Sequence, residues 1–364
     1  MANTNEFHAD IAFHPGETLA EKLEELSMGP KEFALRAGKP EKTILAILRG
    51  DSSITPEMAV IFESVLSIPA RFWIKKQYSF DEYKAREKRA LSIRNAMDWA
   101  GRFPYADMVR HGWVAARAKP EEKVAELLDF FGVSSPEAWE NYFFNQQLKV
   151  AFRISLAGTK APHALSAWIR QGEIQARAIE CGPYSEPEFR KALDDIKIIM
   201  AQQPEDFFQK LQKACLACGL KVVHTACVKN APLSGASRWI RDNPLIQLTG
   251  RYKQNDRFWF TFFHEAGHIL RHGKKDIFLE NVEYSEADLQ KEKEADDFAE
   301  EWTFSRAQEH EVLKEKPLAL ERVREFAIKF NTHPAMIIGR LHKKGILPYS
   351  VGNEFLVKID LSGE

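Results

Sequence analysis

The residues best suited to chemistry lie in Phe263-His264-Glu265-Ala266-Gly267-His268, with a second set in Glu292-Lys293-Glu294-Ala295-Asp296. On a helix, positions i and i+4 share a face, so His264 and His268 present two imidazoles to one ion. Glu265, between them, stands where the general base of a metal-assisted hydrolysis belongs. Ala295 and Asp296 follow Glu292 at +3 and +4, placing one carboxylate to ligate and another, a turn on, to brace an imidazole. A lone histidine on an apolar helix is usually a core residue, and a Glu-rich helix is usually a solvated face. Two histidines at this spacing, a glutamate between them and an ordered carboxylate pair downstream favour the metal. Two nitrogens, one oxygen and an open fourth position are the tetrahedral pattern of catalytic zinc, so one Zn2+ per chain is expected. Glu294 sits roughly 200° around the helix from Glu292, so both cannot face the ion. His272 shares a face with His268 but lies about 12 Å of helix rise from His264, so it is expected to support the ligands or to face substrate. For the oxyanion or substrate, the candidates are Arg238, Tyr252 and His310.

These groups need a scaffold. Arg257 to Phe263 is an apolar lead-in suited to a buried helix, and Lys221 to His224, Ser234 to Ile240 and Pro244 to Leu248 read as strands. A small sheet ahead of the H-E-x-x-H helix resembles the zincin arrangement, which implies an edge strand along the cleft to which an extended peptide adds. Ser234 to Trp239 is the candidate edge.

His264 to His272 (H-E-A-G-H-I-L-R-H) and Glu292 to Ala299 (E-K-E-A-D-D-F-A) resemble the ImmA/IrrE metallopeptidases, gluzincin-like enzymes encoded beside or fused to helix-turn-helix regulators. The resemblance extends to Ser234-Gly235-Ala236-Ser237-Arg238-Trp239 and to Ile337-Ile338-Gly339-Arg340-Leu341. It implies His264, His268 and Glu292 as ligands, Glu265 as base and Asp296 as a support behind them. After Ala299 the chain departs from the family pattern and reads Glu300-Glu301-Trp302-Thr303-Phe304-Ser305.

The N-terminal region reads as short helices: one opened by Pro15-Gly16-Glu17 with Leu19, Leu23 and Leu26 on one face, then Pro30 to Ala37, Glu41 to Leu48, and one capped by Thr55 with Pro56 at its first position. Short helices joined by tight glycine-containing turns are the helix-turn-helix pattern. His14-Pro15-Gly16-Glu17, Gly50 to Ala59 and Phe72-Trp73 resemble HigA-type antitoxins of the Cro/repressor family. The reading head is sparse: Lys39, Lys42, Thr43 and Arg49 are the candidate DNA contacts, while Glu41 would oppose phosphate and Leu45 and Ala46 stand where polar readers are common.

From about Ala90 to Met200 the chain reads as helical without a catalytic motif. Val124, Leu127, Leu128 and Phe131 form one apolar face, Gly132 stops that helix, and Arg170 and Glu173 read as a solvated pair on a later one. Cys215-Leu216-Ala217-Cys218 has no second cysteine pair to complete a zinc knot and reads as buried small residues before the stop at Gly219.

The expected fold is mainly α with a small sheet (α+β), in three parts: a helix-turn-helix domain over 1–90, a helical middle over 91–200 and a zincin-like metallopeptidase domain over 201–364. Lys+Arg 51 against Asp+Glu 52 gives a net charge of −1, which excludes an overall basic field, so any DNA affinity must be local. Met1 to Glu6 lacks the basic and apolar segments of a signal peptide, the four cysteines are scattered, and no apolar run nears the ~20 residues that span a bilayer. A cytoplasmic homodimer without membrane contact is expected. Its expected partner is a protein substrate of the repressor or antitoxin class, with DNA a second partner. The competing expectation is a DNA-binding regulator or antitoxin whose zinc domain senses or binds a partner without proteolysis.

Overall fold

The structure is a computed structural model that describes residues 12–147, 161–231, 233–273, 278–279, 286–315, 317–359 and 361. The reading of Met1 to Glu6 lies outside the described residues. The chain divides into two compact units, Met1–Asn95 and Ala96–Glu364. The first is all-helical; the second is helical around one small sheet, so the fold is α+β. No helix among the described residues is long and apolar enough to cross a membrane.

The first unit contains α1 (Pro15–Glu25), α2 (Pro30–Ala37), α3 (Glu41–Leu48), α4 (Pro56–Leu66) and α5 (Ala70–Asn95). Local chemistry sets their ends. The His14 ring accepts the Gly16 amide at 2.9 Å to cap α1, Gly38 closes α2 in the left-handed region, and Thr55 accepts the Met58 amide to cap α4. Leu19, Phe33, Ile44, Ile47, Phe62 and Trp73 form the core. Gly16 is required where α1 crosses α3, because a Cβ there would lie 1.9 Å from the Ile47 carbonyl oxygen. Leu26 falls just past the end of α1 and is exposed, so the apolar face of that helix stops at Leu23.

The second unit begins with α6 (Met97–Ala100), α7 (Tyr105–Arg110), α8 (Pro120–Phe131) and α9 (Pro136–Trp139), which runs on as a π-helical turn over Glu140–Gln147. The apolar face read on α8 is buried, and Gly132 ends that helix at φ 67°. Then come α10 (Pro162–Arg177), α11 (Glu186–Gln202), α12 (Phe207–Ala217), β1 (Lys221–His224), β2 (Gly235–Ile240), β3 (Asn243–Leu248), α13 (Asn255–His272), β4 (Phe278–Leu279), α14 (Glu286–Thr303), α15 (Arg306–Val312), α16 (Leu320–Phe330) and α17 (Pro334–Lys343). Cys215 and Cys218 are buried at the end of α12.

The sheet has the order β1-β3-β2-β4, with β1 parallel to β3 and the other pairs antiparallel. Strand alternation assigns its two faces. Val222, Ile246 and Leu248 join Phe258, Trp259, Phe262 and Phe263 of α13 in the main core. Val223, Leu245 and Ala236 face the other way, against α10. That helix is tied to the strands through backbone carbonyls: Gln247 Nε2 donates to Trp168 O at 2.7 Å, Trp168 Nε1 to Thr225 O at 3.1 Å, and Gln175 Nε2 to His224 O at 2.8 Å. Gly172 makes room for the Gln247 side chain. The Ser234–Trp239 stretch is therefore not a free edge. β4 pairs with it at Ala236 and Ser237, and a two-residue strand so far along the chain carries no periodicity to read.

The Arg170–Glu173 pair also differs from the solvated pair expected. Its atoms are 3.1 Å apart, and the side chains are only 16% and 10% exposed; Arg170 Nε also donates to the Phe130 carbonyl near the end of α8, at 2.9 Å.

His163, at the start of α10, stacks on Trp139 at 4.7 Å and meets Phe103 edge-on at 4.9 Å. Burial, with the nearby charge of Arg102, pushes its pKa down to about 4. The unfolded chain therefore binds the extra proton between about pH 6.5 and 4, and stability present above that window is lost as pH falls through it. The melting temperature is expected to drop across this range more steeply in the natural protein than in His163→Phe; equal slopes would refute the assignment.

Candidate metal centre

The apolar face of α13 buries His264, Glu265 and His268, each at most 3% exposed, against the main core. α14 crosses directly over this face. The crossing is close because small residues meet there: a Cβ on Gly267 would lie 3.2 Å from Ala295 Cα and 3.1 Å from Phe298 Cβ. It lowers Glu292 onto the imidazole pair. The Nε2 atoms of His264 and His268 are 3.0 Å apart, and Glu292 oxygens lie 3.2 Å from the first and 3.4 Å from the second. Zinc bonds of 2.0–2.1 Å to a tetrahedral donor set require donor separations of about 3.4 Å. The triangle meets that requirement within a few tenths of an ångström, and its nitrogen and oxygen donors are those that zinc takes.

Groups behind the triangle orient it. Asp296 Oδ1 accepts from His264 Nδ1 at 2.9 Å, leaving Nε2 for the ion. His268 is held through a longer relay, its Nδ1 3.0 Å from His272 Nδ1 and His272 Nε2 3.1 Å from Glu294 Oε2. One proton order satisfies this relay: His268 Nδ1–H donates to His272, and His272 Nε2–H donates to Glu294. Sequence reasoning set Glu294 aside because it cannot share the ion with Glu292. The helix turn that carries it away from the ion delivers it to His272, and nothing in the spacing of a Glu-rich helix marks that role. Burial alone would raise the Glu292 carboxyl, but hydrogen bonds from the two histidines outweigh it and hold the pKa at about 2; burial pushes His268 down to about 4. At His264 burial acts downward too, but hydrogen bonds to Asp296 and Glu292 outweigh it and raise the imidazole well above its ordinary value, so an ion bound here displaces a proton from His264.

Glu265 is fully buried where β2 begins. A Cβ on Gly235 would fall 3.1 Å from Glu265 Oε1 and 2.6 Å from Thr261 Cγ2, so only glycine lets the strand pass this close. The three oxyanion candidates separate. Tyr252 borders a small cavity with Ser234 and Thr261, the latter one turn from Glu265, and the guanidiniums of Arg251 and Arg257 lie 5.2 and 4.7 Å from its ring. Arg238 is on the wrong face: strand alternation from Gly235 turns it toward α10, where Nη2 donates to Ile169 O at 2.7 Å and burial pushes its pKa down to about 10. His310 is exposed on α15, and no bond or ring contact joins it to the triangle among the described residues.

With this geometry in place, comparison with known proteins gives the family of the region that carries it. Residues 220–342 match the model of the peptidase family M78, the IrrE N-terminal-like domain. The C-terminal region is an IrrE N-terminal-like domain. At the other end, the chain is 29% identical over 73 residues to the uncharacterized HTH-type transcriptional regulator YddM of Escherichia coli strain K12, covering 20% of this chain and 78% of that protein. It is also similar to a solved addiction module antidote protein of the HigA family from Coxiella burnetii, at 32% identity and a TM-score of 0.22, covering 23% of this chain and 91% of that one. The chain thus carries, in one sequence, a region that matches a peptidase-family model and a region similar to an HTH-type transcriptional regulator. Within the IrrE-like domain, the Ile337–Leu341 stretch lies on α17, where Gly339 packs on Asp256 at the start of α13 and Arg340 reaches Glu300 at 3.4 Å and Glu309 at 3.3 Å.

Gly267→Val would force α13 and α14 apart, at a cost of about 1–3 kcal/mol from overpacking, and would lift Glu292 off the histidines. A lowered melting temperature together with lost metal binding is expected; full metal binding in this variant would show that the crossing does not set the site.

Proposed function

We propose that this chain is a zinc-dependent endopeptidase coupled to a helix-turn-helix domain, and that it cleaves a transcriptional repressor or antitoxin-like regulator in the cytoplasm. The observation that carries the reading is the triangle of His264, His268 and Glu292 closed beside a fully buried Glu265. The first three residues would hold the ion, which when bound supplies Lewis-acid polarisation of a carbonyl and a water acidic enough to ionise near neutral pH. Glu265, buried beside the triangle, would serve as the general base that accepts a proton from the attacking water and returns it to the leaving amine. Asp296 and the His272–Glu294 relay keep the imidazoles in the tautomer and orientation that ligation needs. The helix-turn-helix unit supports the regulator class of substrate, because a protease joined to such a unit is delivered to the DNA or protein partners that the unit binds. The test is to incubate zinc-loaded protein with the repressors and antitoxins encoded beside its gene, and to look by mass spectrometry for one new peptide end that a chelator suppresses. Intact substrates throughout, with zinc bound, would leave the non-proteolytic regulator in its place.

DNA affinity is expected to be weak. Lys39 is 2.7 Å from Glu57 and Arg49 is 3.2 Å from Asp51, so two of the four candidate contacts are already paired with carboxylates. Lys42 is exposed and Thr43 half-buried. With so few phosphate contacts, the log–log salt slope should be about −3 or shallower per chain, at roughly 0.9 per neutralised phosphate. In gel-shift titrations on the gene's upstream DNA, Glu57→Gln should tighten binding at low salt by freeing Lys39. A steep slope with strong preference for the upstream sequence would mean instead that the helix reads bases.

A further inference from the structure

We propose that the second unit binds a small amphipathic carboxylate in a pocket remote in sequence from the metal triangle, formed by the middle helices and the loop between β1 and β2. The cavity measures about 400 Å³, within the range of small-molecule sites. Its apolar wall comes from Met97, Ala100, Phe103 and Pro104 around α6 and the start of α7, and from Pro120 at the start of α8. Lys123 on α8 and Lys229 on the β1–β2 loop complete the lining.

The charges decide the ligand. Asp107 is the one carboxylate in the lining, and it is committed: one oxygen is 2.8 Å from Arg110 and the other accepts the Lys229 backbone N–H at 2.7 Å. Nearby Glu126 accepts the Ala115 amide and Arg117, each at 2.9 Å. Lys123 lies over the Tyr105 ring at 5.7 Å. Among the described residues, neither Lys123 nor Lys229 is within ion-pair distance of a carboxylate. Two lysines with no ion-pair partner among the described residues, beside an apolar wall, fit a molecule with an apolar body and one anionic head.

The pocket also has a mechanical connection. Lys229 lies on the loop whose far end enters β2 at Gly235, the residue packed against Glu265. A ligand joining Lys123 to Lys229 ties that loop to α8.

The test uses the full-length protein and calorimetric titration with decanoate, decanol and acetate. It needs no peptidase activity, so its failure and the failure of the proteolytic reading are distinguishable. Decanoate should bind one per chain, at least about tenfold more tightly than decanol, with acetate weaker still. Lys123→Met with Lys229→Met should bring decanoate down to the level of decanol, and Ala100→Trp should abolish binding of both by filling the cavity. Lys229 is exposed, so Lys229→Met alone preserves the fold and should by itself weaken decanoate; melting temperatures identify any variant that does not fold. Equal affinity for decanoate and decanol, decanoate binding indifferent to the lysines, or no saturable decanoate binding overturns the proposal.

Discussion

Glu265→Gln is expected to retain zinc at full occupancy and to lose hydrolysis by a factor on the order of 10²–10⁴, the range of a positioned general base. Two observations argue for this split. Glu265 is not part of the ligand triangle, so its charge is not needed to hold the ion. It is fully buried, and glutamine has nearly its shape, so the core of α13 and the close pass of Gly235 survive. Metal analysis and cleavage rate are measured on the same sample. Loss of zinc along with activity would make Glu265 structural; retained activity would remove it from the mechanism.

Glu292→Ala is expected to strip the metal, whereas Glu294→Ala should weaken it only about 10–100-fold, the usual cost of a lost supporting partner. The two residues are neighbours on α14 and differ in what they touch. Glu292 contacts both ligand imidazoles, and Glu294 reaches the site only through His272. Asp296→Ala, behind His264, should resemble Glu294→Ala. Competition against a zinc-binding dye ranks the three variants. Complete loss in Glu294→Ala with retention in Glu292→Ala would reverse the register of the helix.

The parts of this molecule legible in the sequence are those fixed by local rules. Helix ends in the first unit follow from Gly38, Thr55 and Pro56, each acting within a turn of itself. His264, Glu265 and His268 share a face because one helix carries them all. What was not legible depends on partners distant in the chain. Arg238 looks like a spare cation by the site until β2 takes its register against β3, which turns it to the opposite face. Arg170 and Glu173 have the spacing of a surface pair, and only contacts distant in the chain, such as the bond from Arg170 to the Phe130 carbonyl, make them an interior one. The roles of Gly267, Ala295 and Gly235 come from close approach between elements, which a single sequence does not encode as a pattern.

The attachment of α10 to the back of the sheet bears on where this peptidase can be cut. The matched region, 220–342, holds every residue of the triangle and its supports, yet it starts well after α10 has ended. A fragment trimmed to that region would bare Val223, Ala236 and Leu245, and would leave Arg238 without the Ile169 carbonyl. On the other face it would lose Phe189, Ile196, Phe207 and Leu211 of α11 and α12 from the core that backs α13. Such a piece would be insoluble before its chemistry could be assayed. The smallest independently folding peptidase therefore begins no later than Pro162, and the helices ahead of the motif-bearing region are as much a part of the enzyme as the histidines.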